Sequence, residues 1–356
     1  MPAPLPPGSV IGILGGGQLG RMLAIAAARL GFRCHVYDPA ADAPASQVAA
    51  ASTVAAYDDL AALDAFAAAI DVVTLEFENI PVATLRHLAQ QVPTRPGADA
   101  LAVAQDRVDE KSFLNRAGIA TAPWRPVHDL PSLVAALEDI GAPSILKTRR
   151  FGYDGKGQVR IAAVDGAAAA WEEIGSQPAS LEGFVPFSAE VSVIAARGLG
   201  GETVAFDPGR NEHRDGILHK TTVPAGLPKR LEQDAVLTAG RILAALDYVG
   251  AMGVEMFVTD GALLVNEIAP RVHNSGHWTI EACAIDQFQQ HIRAVAGWPL
   301  GDGTRHGNAE MVNLIGGDAA DWQRLSTDAV GLHLYGKGEI RPGRKMGHLT
   351  RVSPLS

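Results

Sequence analysis

The sequence predicts an α/β protein whose first hundred residues form a doubly wound parallel sheet, followed by an α+β segment and a β-rich remainder. Three observations carry that prediction. Residues 9–38 run strand, glycine turn, helix, strand, with "IGILGGGQLG" at the turn. The alternation of apolar strands and helices continues to "PTRPG" at 93–97 and stops there. Beyond Phe184 the longer apolar runs have strand composition, with a single long helical pattern between them.

Taken in order, Leu19, Met22, Leu23, Ile25, Ala26 and Leu30 recur at helical spacing after the glycine turn. An Ala-rich helix follows around 58–69, then a strand "DVVTLEFE" at 71–78 and a helix opened by Pro81, which suits a first turn. "AQDRVDEKSFLNRAG", 104–118, reads as one helix stopped by Gly118. From 123 short strands ("SILK", "QVRIA", "PASLEGFV") alternate with helices ("SLVAALEDIG", "AAAAWEEIG"). The β-rich runs are "AEVSVIAARG", "GETVAFD", "GVEMFV" and "ALLVNEIA", with the helix "RLEQDAVLTAGRILAALDY" among them. The last sixty residues add "MVNLIG", "VGLHLYGK" and "HLTRV" around glycine-rich turns.

At 356 residues the chain can hold two or three cores, and 47% hydrophobic with 19% charged residues is the balance of a globular protein. A net charge of −9 argues against nucleic acid or an anionic membrane as the main partner, so any anion site must be built locally. Cys34 and Cys283 each lie in an apolar stretch and read as buried free thiols. The opening "MPAPLPPGSV" has no basic or apolar signal-peptide region, and no apolar run is long enough to span a bilayer. The expectation is a cytoplasmic protein.

Five stretches concentrate chemistry. Gly15, Gly17 and Gly20 satisfy G-x-G-x-x-G, and Asp38 ends the next strand 23 residues after Gly15, the spacing of a dinucleotide fold. The motif equally suits another phosphate at a helix N-terminus, and the alternation stops before a second nucleotide-binding half appears. The second stretch, "LKTRRFGYDGKGQ", places glycines among Arg149, Arg150 and Lys156, a loop able to close over a polyphosphate. The third, "GVEMFVTDGALLVNEIAPR", is a hairpin turning at Asp260-Gly261, with Glu255 six residues before Gly261 and Glu267 six after. A three-residue loop puts the two acids opposite each other, and a two-residue turn puts Asn266 opposite Glu255. Such a pair calls for a cation, and hard oxygen ligands beside phosphates suit Mg²⁺. The fourth, "RVHNSGHWT", crowds Arg271, His273, Asn274, Ser275 and His277. Zinc on His273 and His277 is disfavoured because Asn-Ser-Gly breaks a helix and no Cys is near. The fifth, "RPGRKMGHLTR", is the strongest basic cluster, a clamp for phosphate or carboxylate.

This order of motifs, with "GGGQLGRM", "TLEFENI", "AQDR", "GYDGKGQ", "LEGFVPFSAEVSVI", "VNEIAPRVHNSGHWT" and "RKMGHLT", resembles the 5-(carboxyamino)imidazole ribonucleotide synthetase family of the ATP-grasp superfamily over about residues 9–352. The resemblance implies a Rossmann-like domain (1–100), an ATP-grasp domain of two α+β lobes (101–296, the small lobe about 123–184) and a C-terminal substrate-binding region (297–356). It implies carboxylation of aminoimidazole ribonucleotide with bicarbonate and ATP in purine biosynthesis, and a homodimer. For ATP it implies Arg107, Lys147, the loop Gly152, Tyr153, Asp154, Gly155, Lys156, Gly157 and Gln158, and a strand Glu182, Gly183, Phe184 and Val185. Glu190 on the ribose, His213 and Asn266 complete that set. Glu255 and Glu267 are implied for Mg²⁺. For the ribonucleotide it implies Gln18 and Leu19 at the glycine turn, Glu76, Tyr153, Asn274, Ser275, Lys345 and Arg351, with Asp154, Lys345 and Arg271 handling the reacting groups. The glycine turn then receives the ribonucleotide's phosphate and Asp38 has no ribose to bind. The chain departs from the pattern at Val272, where proline is usual, and at Arg210-Asn211 ahead of His213, where Glu-Asn is usual. Other ATP-grasp ligases, such as a formate-dependent glycinamide ribonucleotide transformylase or a biotin carboxylase, share the nucleotide machinery. An NAD-dependent oxidoreductase rests on the first forty residues alone, and a non-catalytic nucleotide sensor would not need both metal acids.

Overall fold

In the computed structural model, which describes residues 3–152, 155–327 and 329–355, three sheets carry the fold. The first is built from β1 (Val10–Leu14), α1 (Gln18–Arg29), β2 (Arg33–Tyr37), β3 (Ala51–Thr53), α2 (Leu60–Ala67), β4 (Val72–Leu75) and α3 (Val82–Leu88). Its strands are parallel in the order β3-β2-β1-β4. β1 and β4 are almost wholly buried, as continuous apolar runs covered on both faces must be. The strand expected over 71–78 ends at Leu75, because the chain turns there to send the Glu76 carboxylate into the glycine turn.

The single helix expected over 104–118 is two: α4 (Ala98–Gln105) and α5 (Arg107–Arg116). Asp106 breaks them with extended backbone and caps α5, its carboxylate accepting from the Val108 and Asp109 N–H groups. The small lobe comprises β5 (Trp124–Val127), α6 (Leu130–Ile140), β6 (Ser144–Thr148), β7 (Gln158–Ile161), α7 (Ala167–Glu173) and β8 (Ala179–Gly183). Its antiparallel sheet, ordered β5-β8-β6-β7, packs Val127, Leu146 and Leu181 against Leu133 and Leu137 of α6.

The remaining elements are β9 (Ala189–Arg197), β10 (Thr203–Ala205), β11 (Gly209–Arg214), β12 (Ile217–Val223), α8 (Lys229–Ala245), β13 (Gly250–Thr259) and β14 (Ala262–Ala269), then α9 (Thr279–Ala282), α10 (Gln287–Ala296), β15 (Asn308–Ile315), α11 (Trp322–Leu325), β16 (Gly331–Leu334) and β17 (Lys345–Ser353). Nine of these strands make one sheet, ordered β14-β13-β9-β11-β12-β15-β17-β16, with β10 paired to β9. The C-terminal strands thus continue the sheet that carries β13 and β14, because β15 pairs with β12 from Lys220–Val312 to Val223–Ala309. α10 packs its Phe288, Ile292 and Val295 into the core that includes α1 and β1, joining the large sheet to the first unit. No helix among the described residues is long and apolar enough to cross a membrane.

Candidate active site

The acid pair is set by an irregular hairpin. Asp260 and Gly261 both have positive φ (46° and 74°), giving a two-residue turn that closes Thr259 against Ala262. Pairing runs regularly to Met256–Val265, where one extra residue, Asn266, is inserted into β14 as a bulge. Glu267 therefore lies opposite Glu255 despite the short turn, a combination of the two registers that the sequence left open. Glu267 accepts from Arg107 Nη1 at 3.0 Å, and Glu255 Oε1 lies 3.2 Å from His273 Nε2. Burial, and then the charge of Glu267, push Glu255 up to about 8. Burial also works against the charge of Glu267, but Arg107 and Lys147 hold it below the usual carboxylate range.

Behind the pair is a buried ionic cluster. α5 delivers Arg107, Glu110 and Lys111 on one face at i, i+3 and i+4. Lys111 is fully buried, with Nζ 2.6 Å from the Asn266 carbonyl and 3.4 Å from Glu182 Oε2. Lys147 Nζ donates to the same Glu182 oxygen at 3.0 Å and to Asn266 Oδ1 at 3.4 Å. Burial would raise the Glu182 carboxyl, but Lys147, Lys111 and Arg107 bring it down to about 2. Glu110 accepts from the Ile268 N–H at 2.6 Å, and burial pushes it up to about 7. The expected residues Arg107, Lys147, Glu182, Asn266 and Glu267 thus converge. Glu110 and Lys111 are additions that the sequence reading missed, although their i, i+3, i+4 spacing from Arg107 was the available signal.

The glycine loop leaves β6 and returns on β7, with Lys147 opposite Gln158. The Gly157 carbonyl accepts from the Thr148 N–H at 2.8 Å, and a Cβ on Gly157 would lie 2.6 Å from Thr148 Oγ1, so this closure requires glycine. At Gly155 the loop reaches the β11–β12 turn, where a Cβ would stand 3.1 Å from Gly216 Cα. Gly152 lies near Arg107, whose Nη2 would stand 3.6 Å from an added Cβ. Lys156 is exposed on the loop. Tyr153 and Asp154 lie outside the described residues. The strand expected through Glu182–Val185 ends at Gly183, so Phe184 and Val185 belong to the link to β9. Phe184 is exposed under the Arg160 guanidinium, 4.6 Å from its ring centroid.

Glu190 and His213 meet across β9 and β11, Nδ1 to Oε2 at 2.7 Å. Burial opposes the charge on His213, but Glu190 raises its pKa. The Arg210 departure does not displace this pair, since Arg210 Nε is turned to the Ala225 carbonyl at 2.8 Å.

The ribonucleotide contacts fare unevenly. Glu76 accepts from Gly17 and Gly20 N–H at 2.8 and 3.0 Å, and Asp38 accepts from Gly16 N–H at 2.7 Å. Part of the glycine turn expected to receive phosphate is therefore occupied by the protein's own carboxylates. Among the described residues, the Gln18 and Leu19 amides of the same helix turn make no hydrogen bond within the chain. Asp38 is the cap of the glycine turn, a role beyond inherited strand geometry. Arg271 clasps Glu78 of the first unit through two hydrogen bonds, from Nε to Oε2 and from Nη2 to Oε1 at 2.6 Å.

Asn274 and Ser275, expected at the ribonucleotide, lie between β14 and α9. Both are buried and engaged within the protein. Asn274 exchanges amide hydrogen bonds of 2.9 and 2.7 Å with Asn313. Ser275 ends a chain in which Thr221 donates to Asn211, Asn211 to Ser192 and Ser192 to Ser275, at 2.9, 3.1 and 2.6 Å. Ser275 Oγ is 2.8 Å from His273 Nδ1, so Nδ1 accepts and Nε2–H is left to donate to Glu255. Burial, with the nearby Arg271 and Lys345 charges, pushes His273 down to about 3, keeping it neutral.

Lys345 opens β17, and its charge acts on Glu255, His213 and His273. Arg351 is not brought to them: it is exposed opposite Glu310, six residues of extended strand from Lys345, about 20 Å.

The geometry has close counterparts. The ribonucleotide synthetase preATP-grasp domain family matches residues 9–105, the ATP-grasp domain family 112–288, and the phosphoribosylaminoimidazole carboxylase C-terminal domain family 309–354. The N5-carboxyaminoimidazole ribonucleotide synthase of Brucella melitensis is 56% identical over 355 residues, 98% of each chain. That of Pseudomonas aeruginosa is 46% identical over 341 residues, 96% of this chain and 93% of the other. An ADP complex of an N5-carboxyaminoimidazole ribonucleotide synthetase superposes with a TM-score of 0.95 at 42% identity, covering 99% of this chain and 94% of that one. An Aspergillus clavatus enzyme solved with ADP and 5-aminoimidazole ribonucleotide superposes with a TM-score of 0.91 at 33% identity, covering 98% and 94%.

Proposed function

This chain belongs to the N5-carboxyaminoimidazole ribonucleotide synthase family of ATP-grasp ligases, and from that premise we propose that its site carboxylates the exocyclic amine of 5-aminoimidazole ribonucleotide. ATP and bicarbonate are consumed, and ADP and phosphate are released, in purine biosynthesis. The observation that carries this reading is the Glu255–Glu267 pair, held in register by the Asn266 bulge beside Arg107 and Lys147.

The pair fits a divalent cation. Two hard-oxygen donors are opposed on neighbouring strands, and without a cation one of them is forced toward its protonated form. Glu255 and Glu267 would hold Mg²⁺, which when bound neutralises charge on the nucleotide phosphates. Everything else falls to the chain's own groups. Lys147 and Arg107 place positive charge at the phosphates, and the loop from Gly152 to Gln158 covers them. The neutral His273 holds Glu255 with its Nε2–H. Bicarbonate is a poor electrophile, so its oxygen first takes the γ-phosphoryl group, giving carboxyphosphate. The loss of phosphate from that intermediate delivers CO₂ to the amine. Carboxyphosphate is labile in water, which is the reason for a closing loop. Arg271, Lys345 and Asp154 are assigned to the ribonucleotide and the transferred carboxylate, with the Gln18 and Leu19 amides toward its phosphate. The division at 1–100, 101–296 and 297–356 and a homodimer are carried over from the resemblance, and the cytoplasmic location is kept from the sequence expectation.

The test is ADP release with ATP, Mg²⁺ and bicarbonate, with and without 5-aminoimidazole ribonucleotide. Strong stimulation by the ribonucleotide, lost when bicarbonate is stripped, is expected. ATP turnover indifferent to the ribonucleotide would refute the assigned acceptor.

A further inference from the structure

A second cluster of ionisable groups lies outside the chemistry above. Glu281 comes from α9, His333 from β16 and His348 from β17, the two histidines being direct cross-strand partners. Their rings stack at 4.6 Å between centroids, and His333 Nε2 lies 2.7 Å from Glu281 Oε1. One ligand atom from each of the three falls within 4.8 Å of the other two.

Three buried atoms around this cluster have no hydrogen-bond partner: His348 Nε2, Glu281 Oε2 and His277 Nε2. Buried polar atoms are normally satisfied, and here three on neighbouring side chains are not, with His277 and His348 fully enclosed. His277 packs its ring 4.7 Å from that of His348. Space for the carboxylate is made by Gly331, where a Cβ would stand 2.3 Å from the Glu281 carboxyl carbon.

The surrounding hydrogen bonds leave His348 Nε2 and Glu281 Oε2 available, while His333 Nε2 is held by Glu281 Oε1 and would exchange that contact for the cation. His348 Nδ1 is 2.9 Å from the Tyr335 hydroxyl, which can accept its N–H and leave the Nε2 lone pair free. That is the outer-shell arrangement in which a metal-bound imidazole donates its other nitrogen to a neighbour. Burial keeps His348 neutral, the form that binds a metal. Two imidazoles and one carboxylate match the nitrogen–oxygen donor set of zinc and related first-row cations, not that of Mg²⁺. The stacked His333 and His348 rings would have to turn toward each other for both nitrogens to meet one cation at zinc's bond lengths of roughly 2.0–2.2 Å.

We propose that Glu281, His333 and His348 form a site for a first-row divalent cation, zinc in the first instance, separate from the Glu255–Glu267 pair. The cation would pin the β16–β17 hairpin to α9, three residues from Lys345 along β17. His277 would stand beside it as an outer neighbour, its ring against that of His348.

The test is made on the full chain, stripped with a chelator and then dialysed against Zn²⁺ in the presence of excess Mg²⁺-ATP to mask the acid pair. Metal content is read by elemental analysis, and Co²⁺ loading by visible absorption. The expected result is one zinc per chain, a visible spectrum of low-symmetry Co²⁺ and a melting temperature raised by Zn²⁺. All three should be lost in His333→Gln and Glu281→Gln, both at part-exposed positions. Native circular dichroism of each variant separates loss of the site from loss of the fold, and if either fails to fold, the Co²⁺ spectrum of the wild-type chain decides by whether it reports imidazole ligands. No bound zinc in the wild type, or zinc retained by both variants, would overturn the assignment.

Discussion

Lys111 offers a test of the buried charge balance behind the acid pair. Arg107, Lys111 and Lys147 stand there against the carboxylates of Glu182 and Glu267, with Glu110, pushed up to about 7 by burial, ionised only in part. Lys111→Met keeps the volume and removes one charge. At the 3.4 Å separation of Lys111 and Glu182, an effective dielectric of about 20 gives roughly 5 kcal/mol of attraction. Relief of repulsion with Arg107 and Lys147, and of the buried ammonium's desolvation, returns a large part of it. The Asn266 carbonyl loses its donor at 2.6 Å, a further cost of about 1–3 kcal/mol. The expected net loss is about 2–4 kcal/mol. Glu182→Gln alone should also destabilise, while the double variant restores the balance and costs at least about 1.5 kcal/mol less than the sum. Urea unfolding followed by fluorescence and circular dichroism, with m-values compared across the four proteins, measures this cycle. A single-variant loss below about 0.5 kcal/mol, or strict additivity, would refute the argument that these charges form one balanced unit.

Glu267→Gln should lower ribonucleotide-dependent ADP release by about 10²-fold or more while leaving the circular dichroism spectrum native; wild-type turnover in that variant would remove the acid pair from the chemistry. In the metal-free chain Glu255 sits at about 8 against an ordinary 4.5, so between those values the folded protein holds a proton that the unfolded chain has lost. Its contribution to stability is therefore full below pH 4.5 and is lost as pH rises through about 8. A cation entering the pair must expel that proton, so Mg²⁺ binding at pH 7 should release close to one proton per chain and tighten up to about tenfold per pH unit toward 8. Calorimetry in two buffers of different ionisation enthalpy reads the proton count, and zero release would contradict it. Gly12→Ala should cost about 1–3 kcal/mol in the same unfolding assay. Its Cβ would lie 2.5 Å from Ile70 Cδ1 and 2.8 Å from Phe66 Cζ.

What the sequence made legible follows from where burial coincides with apolarity. β1 and β4 are enclosed on both faces and spell continuous apolar runs. The hairpin of β13 and β14 announces itself through Asp260-Gly261. β11 and β12 went unread because "GRNEHR" carries polar side chains on both faces, although Asp215-Gly216 between them gives the same turn signal. α10 was hidden for a related reason. Gln287, Gln289, Gln290 and His291 are all buried, each satisfied locally. Gln290 bonds both backbone groups of Gly301, and His291 bridges Thr74 and the Ala251 N–H. Periodicity counts such residues as outward-facing. At the site, residue types and spacings pointed to the glycine loop and the acid pair, and the family resemblance to Arg107 and Lys147. They could not reveal that Asn274 and Ser275 face inward, since that depends on Asn313 and Ser192, distant in the chain. Nor could they fix the Asn266 bulge, which no turn rule contains.

The pairing of β12 with β15 bears on how separable the chain's parts are. Were the residues from Asn308 onward removed, the backbone N–H and C=O groups that β12 now gives to β15 would face water along an open strand edge. β12 is hairpin partner to the strand bearing His213, so the bare edge would lie one strand from the Glu190–His213 pair. Such an edge invites pairing with other chains. The C-terminal strands are consequently no cassette that could be exchanged or shed while the rest of the enzyme stayed whole. They are the margin of the same woven surface, and a cut there would unravel toward the strands that carry Glu255 and Glu267.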